Sequence, residues 1–309
     1  MSVTVVGSLN EDVLVAVHRL PGRGETVIGR SAVLAPGGKG ANQAAAAGRL
    51  GRGVHMVGRV GDDSAGDRQL AALAGSGVNV SRVHRTAGVP TGSATIPVED
   101  GSGENLIVVV PGANAELTAA DADVDSVRRA DVLLLQLEVP LDTVYAAAAA
   151  AGVGTVVLTP APPRPLPEEL MALVDVLVPN EHELVQLSGA TVGARTPAEL
   201  VALARSIAGP VVVVTLGARG ALLVPRDGSP ALLQPPPKVR PVDTTGAGDC
   251  FCGALAQALA GGAELPEAVR YAVTAAALST IGPGARGALP DDDAVRALLP
   301  RVPAAVPVG

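Results

Sequence analysis

Short runs of β-branched residues alternate with alanine-rich stretches of helical length along almost the whole of this chain. Strand, helix, strand in repetition means parallel strands joined by helical crossovers. It predicts an α/β fold, a doubly wound, mostly parallel sheet between two helical layers. Strands read at Val3–Gly7, Val54–Gly58, Val132–Gln136, Thr155–Leu158, Val176–Pro179, Val211–Leu216 and Ala221–Val224. Many are apolar throughout, as burial on both faces requires. Helices read at Gly40–Leu50, Ser64–Ala74, Leu141–Ala151, Pro167–Leu173, Glu181–Ser188, Pro197–Ala208, Cys250–Ala260, Pro266–Ile281 and Asp291–Leu299. Two segments, about 12–34 and 92–110, break the alternation. They lack helical period, carry glycine turns such as Gly101-Ser102-Gly103, and read as a small β excursion over one end of the sheet. The 309 residues read as a single domain with that excursion attached.

Several functions are excluded early. Lys and Arg number 23 against 30 Asp and Glu, a net charge of −7 with no basic block. The aromatics are Phe251, Tyr145 and Tyr271 alone, so stacking platforms for single-stranded nucleic acid are missing. The chain opens on a strand with no basic leader region, and no apolar run reaches membrane-spanning length. A soluble cytoplasmic enzyme is expected. Cys250 and Cys252, two apart on a helix, point to different sides and read as small buried hydrophobes. His18, His55, His84 and His182 are scattered and make no metal-ligand spacing with them.

The chemistry begins at Asp243-Thr244-Thr245-Gly246-Ala247-Gly248-Asp249, followed at once by a helix. Small residues let several N–H groups at a helix start converge on an anion. A carboxylate in such a turn repels a passively bound phosphate. It suits the deprotonation of a hydroxyl about to attack a phosphoryl group, which points to a kinase.

Three further clusters agree. Asn10 and Asp12 follow the first strand, where open α/β sheets bind ligands, and can grip vicinal hydroxyls of a sugar. Gly37-Gly38-Lys39-Gly40-Ala41-Asn42-Gln43 opens a helix, yet lacks the spacing of a P-loop. Asn180 and Glu183, and the run Thr215 to Gly220, lie at strand ends where a nucleotide fits, and Glu183 with Asn180 can organise a hydrated Mg²⁺. A dinucleotide-binding dehydrogenase fails because no Gly-x-Gly-x-x-Gly follows the first strand.

These motifs, with Gly103-Glu104-Asn105, Pro111 to Asn114, Gln136-Leu137-Glu138 and Pro179-Asn180-Glu181, resemble the PfkB carbohydrate-kinase family in unbroken order from about residue 3 to about 290. The Gly-Gly-Lys-Gly-Ala-Asn-Gln run resembles its ribokinase branch. The resemblance implies ATP-dependent phosphorylation of D-ribose at O5. A 2-deoxyribose or hexose kinase, or a non-catalytic sensor with the same fold, are the alternatives. By similarity, Asn10, Asp12, Gly38, Lys39, Gly40, Ala41, Asn42 and Glu138 hold the sugar and Asp249 is the base. Gly246, Ala247 and Gly248 form the anion hole. Asn180, Thr215, Leu216, Gly217, Ala218, Arg219, Gly220 and Gly248 face ATP, and Glu183 acts on Mg²⁺.

The same resemblance places K⁺ among Asp243, Thr245, Ser279, Gly282, Gly284 and Ala288, and makes the β excursion a lid that builds a homodimer. The sequence departs from the family at Thr159, Cys250, Cys252, Val273 (expected near adenine) and Ala288, which lacks a hydroxyl expected at the cation.

Overall fold

The computed structural model describes residues 1–190 and 196–308. From the first strand, β1 (Val3–Val6), the chain enters a separate sheet as β2 (Asn10–Val17) and β3 (Gly29–Gly37). It returns through α1 (Lys39–Leu50), β4 (Val54–Gly61), α2 (Ser64–Gly75) and β5 (Val78–Thr86). After β6 (Gly92–Glu99) and β7 (Val108–Val110), again in the small sheet, α3 (Ala119–Ala122) and α4 (Asp125–Arg128) lead to β8 (Val132–Leu135). Then follow α5 (Leu141–Ala150), β9 (Thr155–Leu158), α6 (Glu168–Met171), β10 (Val176–Leu177), α7 (Glu181–Leu187), α8 (Pro197–Ser206) and β11 (Val211–Thr215). A hairpin-like edge, β12 (Ala221–Val224) and β13 (Ala231–Gln234), precedes α9 (Ala247–Ala260), α10 (Leu265–Ser279), α11 (Asp292–Leu298) and β14 (Val306–Val308).

The main sheet has the order β14-β13-β12-β11-β10-β9-β8-β1-β4-β5. From β11 to β5 its pairs are parallel, and the β11–β14 edge is antiparallel. The chain steps outward from β1 through β4 and β5 on one side, and through β8 to β11 on the other. The order therefore reverses at β1, and a crevice opens beyond the carboxyl ends of β1 and β8. Val3, Val5, Val6 and Val132 to Leu135 are at most 1 % exposed, as both-face burial dictates.

The small sheet has the order β3-β2-β6-β7 and covers the same end as a lid. Its strands begin or end on the predicted segments but run further, β2 from Asn10 and β3 to Gly37. Both lid strands are therefore rooted in the crevice. On one face of the main sheet α1 packs along α9. Gly253 makes this approach possible: a Cβ there would lie 2.5 Å from the Gln43 carbonyl oxygen and 2.8 Å from the Ala47 nitrogen. The contact brings the start of α9 against the first turn of α1.

Candidate active site

Two helix starts, one strand root and one loop converge in the crevice. Asn42 Nδ2 donates to Asp249 Oδ2 at 3.1 Å, and Gln43 Nε2 donates to Asp249 Oδ1 at 3.2 Å. Gln43 is oriented by Gln136, whose Nε2 donates to its Oε1 at 2.7 Å. The Asp249 carboxylate is thus an acceptor held at both oxygens. Burial raises its pKa above the ordinary carboxylate value, against the pull of Lys39 and the Asn42 hydrogen bond, with Glu138 adding to the rise. Such a carboxylate is a stronger base than a solvated one.

The Glu138 side chain accepts from Ser8 Oγ at 2.5 Å and from the Lys39 backbone N–H at 3.1 Å, joining the ends of β1 and β8 to α1. The Asn10 side chain is buried, its Oδ1 accepting from Asn114 Nδ2 at 2.7 Å, while Asn114 Oδ1 accepts the Leu9 N–H at 2.9 Å. Gln69, from α2, donates to the carbonyls of Asn10 and Gly37. Asp12 lies on β2 just beyond Asn10. Burial, then Glu138, raises its pKa to about 6, with Arg286 and Lys39 opposing. Lys39 is held above its ordinary value: burial alone would lower it, but Asp249, Glu138 and Glu183 favour its charged form.

Asn10, Asp12, Lys39, Asn42, Glu138 and Asp249 are therefore brought around one crevice. Gly38 is the buried residue before α1. Gly40 and Ala41 are buried as well, their N–H groups donating to Ser8 Oγ at 3.3 Å and to the Ser8 carbonyl at 2.9 Å, so they seat α1 on the β1 loop.

At the α9 start, Gly246 adopts the left-handed conformation at φ 73°. The Ala247 N–H is spent within the turn on the Thr244 carbonyl at 3.2 Å. The N–H groups of Gly248 and Asp249 have no backbone acceptor among the described residues. Gly248 is exposed, and a Cβ built on it would meet nothing within 4 Å, so the turn is open at this residue. The N–H groups of Gly248 and Asp249 are thus the donors that an anion at this helix start could take, whereas that of Ala247 is already used.

On the nucleotide side, Asn180 pairs with Thr215 in a single parallel bridge that joins the β10 and β11 ends. Gly217, Ala218 and Arg219 are exposed there, and Arg219 forms an ion pair with Glu181. Leu216 and Gly220 are buried, the former in the core under β11, so neither offers a side-chain contact to a ligand. Asn180 and Glu183 form a reciprocal cap on α7, each side chain accepting the other's N–H at 2.8 Å. Burial raises the Glu183 pKa, against the Asn180 hydrogen bond and Lys39. Among the described residues no cluster of three His, Cys, Asp or Glu forms a metal cage. A single carboxylate beside phosphates and water nevertheless suits Mg²⁺, which keeps much of its hydration.

Asp243 Oδ1 accepts the Thr245 N–H at 2.9 Å and Oδ2 accepts the Gly284 N–H at 2.7 Å. The carboxylate itself thus ties the anion turn to the loop after α10. Burial opposes its charge, but these hydrogen bonds hold its pKa below the ordinary value. Ser279 is buried, and Ala288 lies against Gly282. Among the departures, Val273 is 4 % exposed and packs in the core. Cys250 and Cys252 are free and buried, and Cys252 Sγ lies 3.2 Å from Thr159 Oγ1.

Asn114, Gln69, Gln136 and Arg286 complete the site without having been anticipated as functional. The Asn10–Asn114 pair has a faint signal in the Pro111 to Asn114 turn. Arg286 has none: Gly284-Ala285-Arg286-Gly287 reads as a surface turn, whereas its guanidinium reaches Asn42 and the Gly37 carbonyl.

A family model described as pfkB family carbohydrate kinase matches residues 1–292. The chain belongs to the pfkB carbohydrate kinase family. It is 38 % identical over 302 residues to a ribokinase of Bacillus subtilis, covering 96 % of this chain and 99 % of the relative. It is 36 % identical over 299 residues to a deoxyribokinase of Salmonella typhimurium, covering 94 % and 96 %. The solved structure of an Arabidopsis thaliana ribokinase complexed with ribose and ATP superimposes with a TM-score of 0.85 at 36 % identity, covering 96 % of this chain and 98 % of that one. A family of sugar kinases accounts for the crevice: carboxylates and amides for hydroxyls on one side, an N–H cradle for phosphate on the other.

Proposed function

We propose that this chain transfers the γ-phosphoryl group of ATP to O5 of D-ribose, giving D-ribose 5-phosphate and ADP. The observation that carries the reading is the Asp249 carboxylate, held by Asn42 and Gln43 directly beside the unspent N–H groups of Gly248 and Asp249. Asp249 takes the O5 proton, O5 bonds to the γ-phosphorus, and the bond to the β-phosphate oxygen breaks. Asn10, Asp12, Lys39, Asn42 and Glu138 hold the sugar. Gly217 to Arg219 and Asn180 flank the nucleotide. Mg²⁺, with Glu183 nearby, supplies charge neutralisation on the phosphates. Positioning and charge stabilisation carry most of such a barrier. A cytoplasmic location accords with ATP as donor, and among the described residues no helix is long and apolar enough to cross a membrane.

The similarity to a deoxyribokinase supports 2-deoxyribose as the second reading. A coupled kinase assay across ribose, 2-deoxyribose, fructose and nucleosides tests both, with the highest kcat/KM expected for ribose. Asp12 gives the reason. A buried acceptor left without its hydroxyl donor costs about 1–3 kcal/mol, roughly fivefold to 150-fold in kcat/KM. Turnover of no sugar at all would overturn the kinase reading, and equal values for ribose and 2-deoxyribose would remove Asp12 from selectivity.

The pH dependence has a definite sign. Asp12 accepts from sugar hydroxyls with both oxygens, and most strongly, when ionised, and burial raises its pKa to about 6. The kcat/KM for sugar is expected to be full above that value and to fall as pH drops through it. A profile flat down to pH 5 would contradict this.

Potassium is expected to activate by stiffening the segment from Asp243 to Asp249 against the loop at Ser279 to Gly284. Asp243 already joins the two by hydrogen bonds, and Ala288 supplies no hydroxyl, so the activation is expected with modest affinity. Titrating KCl against NaCl at constant ionic strength checks it. A rate indifferent to the cation would leave Asp243 as a structural tie.

The lid is proposed to pair with its copy in a homodimer. Val13, Val15 and Ile96 are half-buried and Val17 is buried, so the bare surface lies mainly on the outer strands. Val33 and Leu34 on one edge strand and Ile107 to Val110 at the opposite edge are 44 to 62 % exposed, apolar open edges of the kind that pair with another chain. Light scattering at micromolar concentration should give twice the chain mass, and a monomer would dismiss the interface.

A further inference from the structure

We propose that Arg286 is a positioning residue of this site, orienting the Asn42 amide and through it the Asp249 carboxylate, while its charge offsets the acidic groups gathered there. The inference rests on Asp249 as the base. An arginine presents five N–H donors and no acceptor. Arg286 Nε donates to Asn42 Oδ1 at 2.8 Å. That contact assigns the amide: with its oxygen toward Arg286, its Nδ2 faces Asp249 Oδ2 at 3.1 Å. A flipped Asn42 would set donor against donor on one side and acceptor against acceptor on the other. Nη2 donates to the Gly37 carbonyl at 3.1 Å and to Gln69 Oε1 at 3.4 Å, anchoring the guanidinium to the root of β3 and to α2. The relay therefore runs from the lid root to the base.

A packing role does not explain this residue. Nη1 is buried with no hydrogen-bond partner among the described residues, a cost that an apolar side chain of similar volume would avoid. Burial lowers the Arg286 pKa to about 10, against the pull of Asp12 and Asp249, so it remains a cation at neutral pH. Around Asp249, the groups Asp12, Glu138 and Glu183 repel its charge and Lys39 favours it. Cys250 and Cys252 are neutral, their pKa values pushed by burial to about 12. Arg286 is the second cation in this predominantly acidic set.

The test compares the native enzyme with Arg286→Ala and Arg286→Gln, using D-ribose and MgATP. For Arg286→Ala, kcat should fall roughly 10- to 100-fold, as misplacing a catalytic group by an ångström does, with KM for ATP little changed. The acid limbs of kcat and of kcat/KM should move to higher pH, because removing a cation that faces both Asp12 and Asp249 makes these carboxylates easier to protonate. Arg286→Gln retains a donor for Asn42 and should recover kcat at high pH while keeping the displaced acid limb. That split distinguishes orientation from charge, and this variant carries the test if Arg286→Ala fails to fold. A kcat within twofold of native and an unmoved acid limb in either variant would overturn the proposal. Crystal structures decide it independently of turnover. An Asn42 amide turned from Asp249 in Arg286→Ala supports the relay, and an intact Asn42–Asp249 bond refutes it, whatever sugar the native enzyme accepts.

Discussion

Replacing Asp249 with Asn is expected to lower kcat by roughly 10²–10⁴, the worth of a positioned general base, with sugar KM changed only a few-fold. The substitution keeps size and removes basicity. It also sets an NH₂ group against one of two donors, since both Asn42 and Gln43 donate to the native carboxylate. One of those amides must rotate, so a small part of the loss is geometric. Steady-state kinetics with ribose and ATP checks the result, and near-native kcat would remove Asp249 from the mechanism.

Gly253→Ala is the second large effect, and its sign depends on competing magnitudes. In an isolated helix the change would stabilise by about 1 kcal/mol. In this fold the new Cβ would meet the Gln43 carbonyl at 2.5 Å and both Ala46 Cβ and the Ala47 nitrogen at 2.8 Å. None of these is the free end of a flexible side chain, so α9 must move off α1 at an overpacking cost of about 1–3 kcal/mol. Packing is expected to win. Because Asp249 lies one turn along α9 from Gly253 and its two donors lie on α1, kcat should fall with stability. A denaturant midpoint at or above native would show that the helices can part without cost.

The strand and helix framework was legible because each element carries its own period. The apolar runs at Val132–Leu135 and Val211–Thr215 and the alanine helices announce themselves locally. β5 was missed because Val78-Asn79-Val80-Ser81-Arg82 is a half-exposed edge strand whose polar residues read as a connection. β14, Val306-Pro307-Val308, is too short and carries a proline that marks an edge. Gly40, Ala41, Leu216 and Gly220 take their expected roles from family resemblance alone, and in the fold all four are buried, which a local sequence pattern does not reveal.

Taken alone, the sequence determined the fold class, the lid segments and the glycine turn with its carboxylate. Each of these depends on residues within a few positions of one another. Tertiary structure alone decided how that carboxylate is held. Asn42 and Gln43 meet Asp249 across more than 200 residues, and Arg286 reaches Asn42 across 244. Nothing in the local pattern around Arg286 distinguishes a solvent-facing turn from a buried guanidinium. The difference arises only when α1 and α9 pack through Gly253 and the loop after α10 closes over the lid roots, because burial and hydrogen-bond partners are properties of that packing and not of the turn itself.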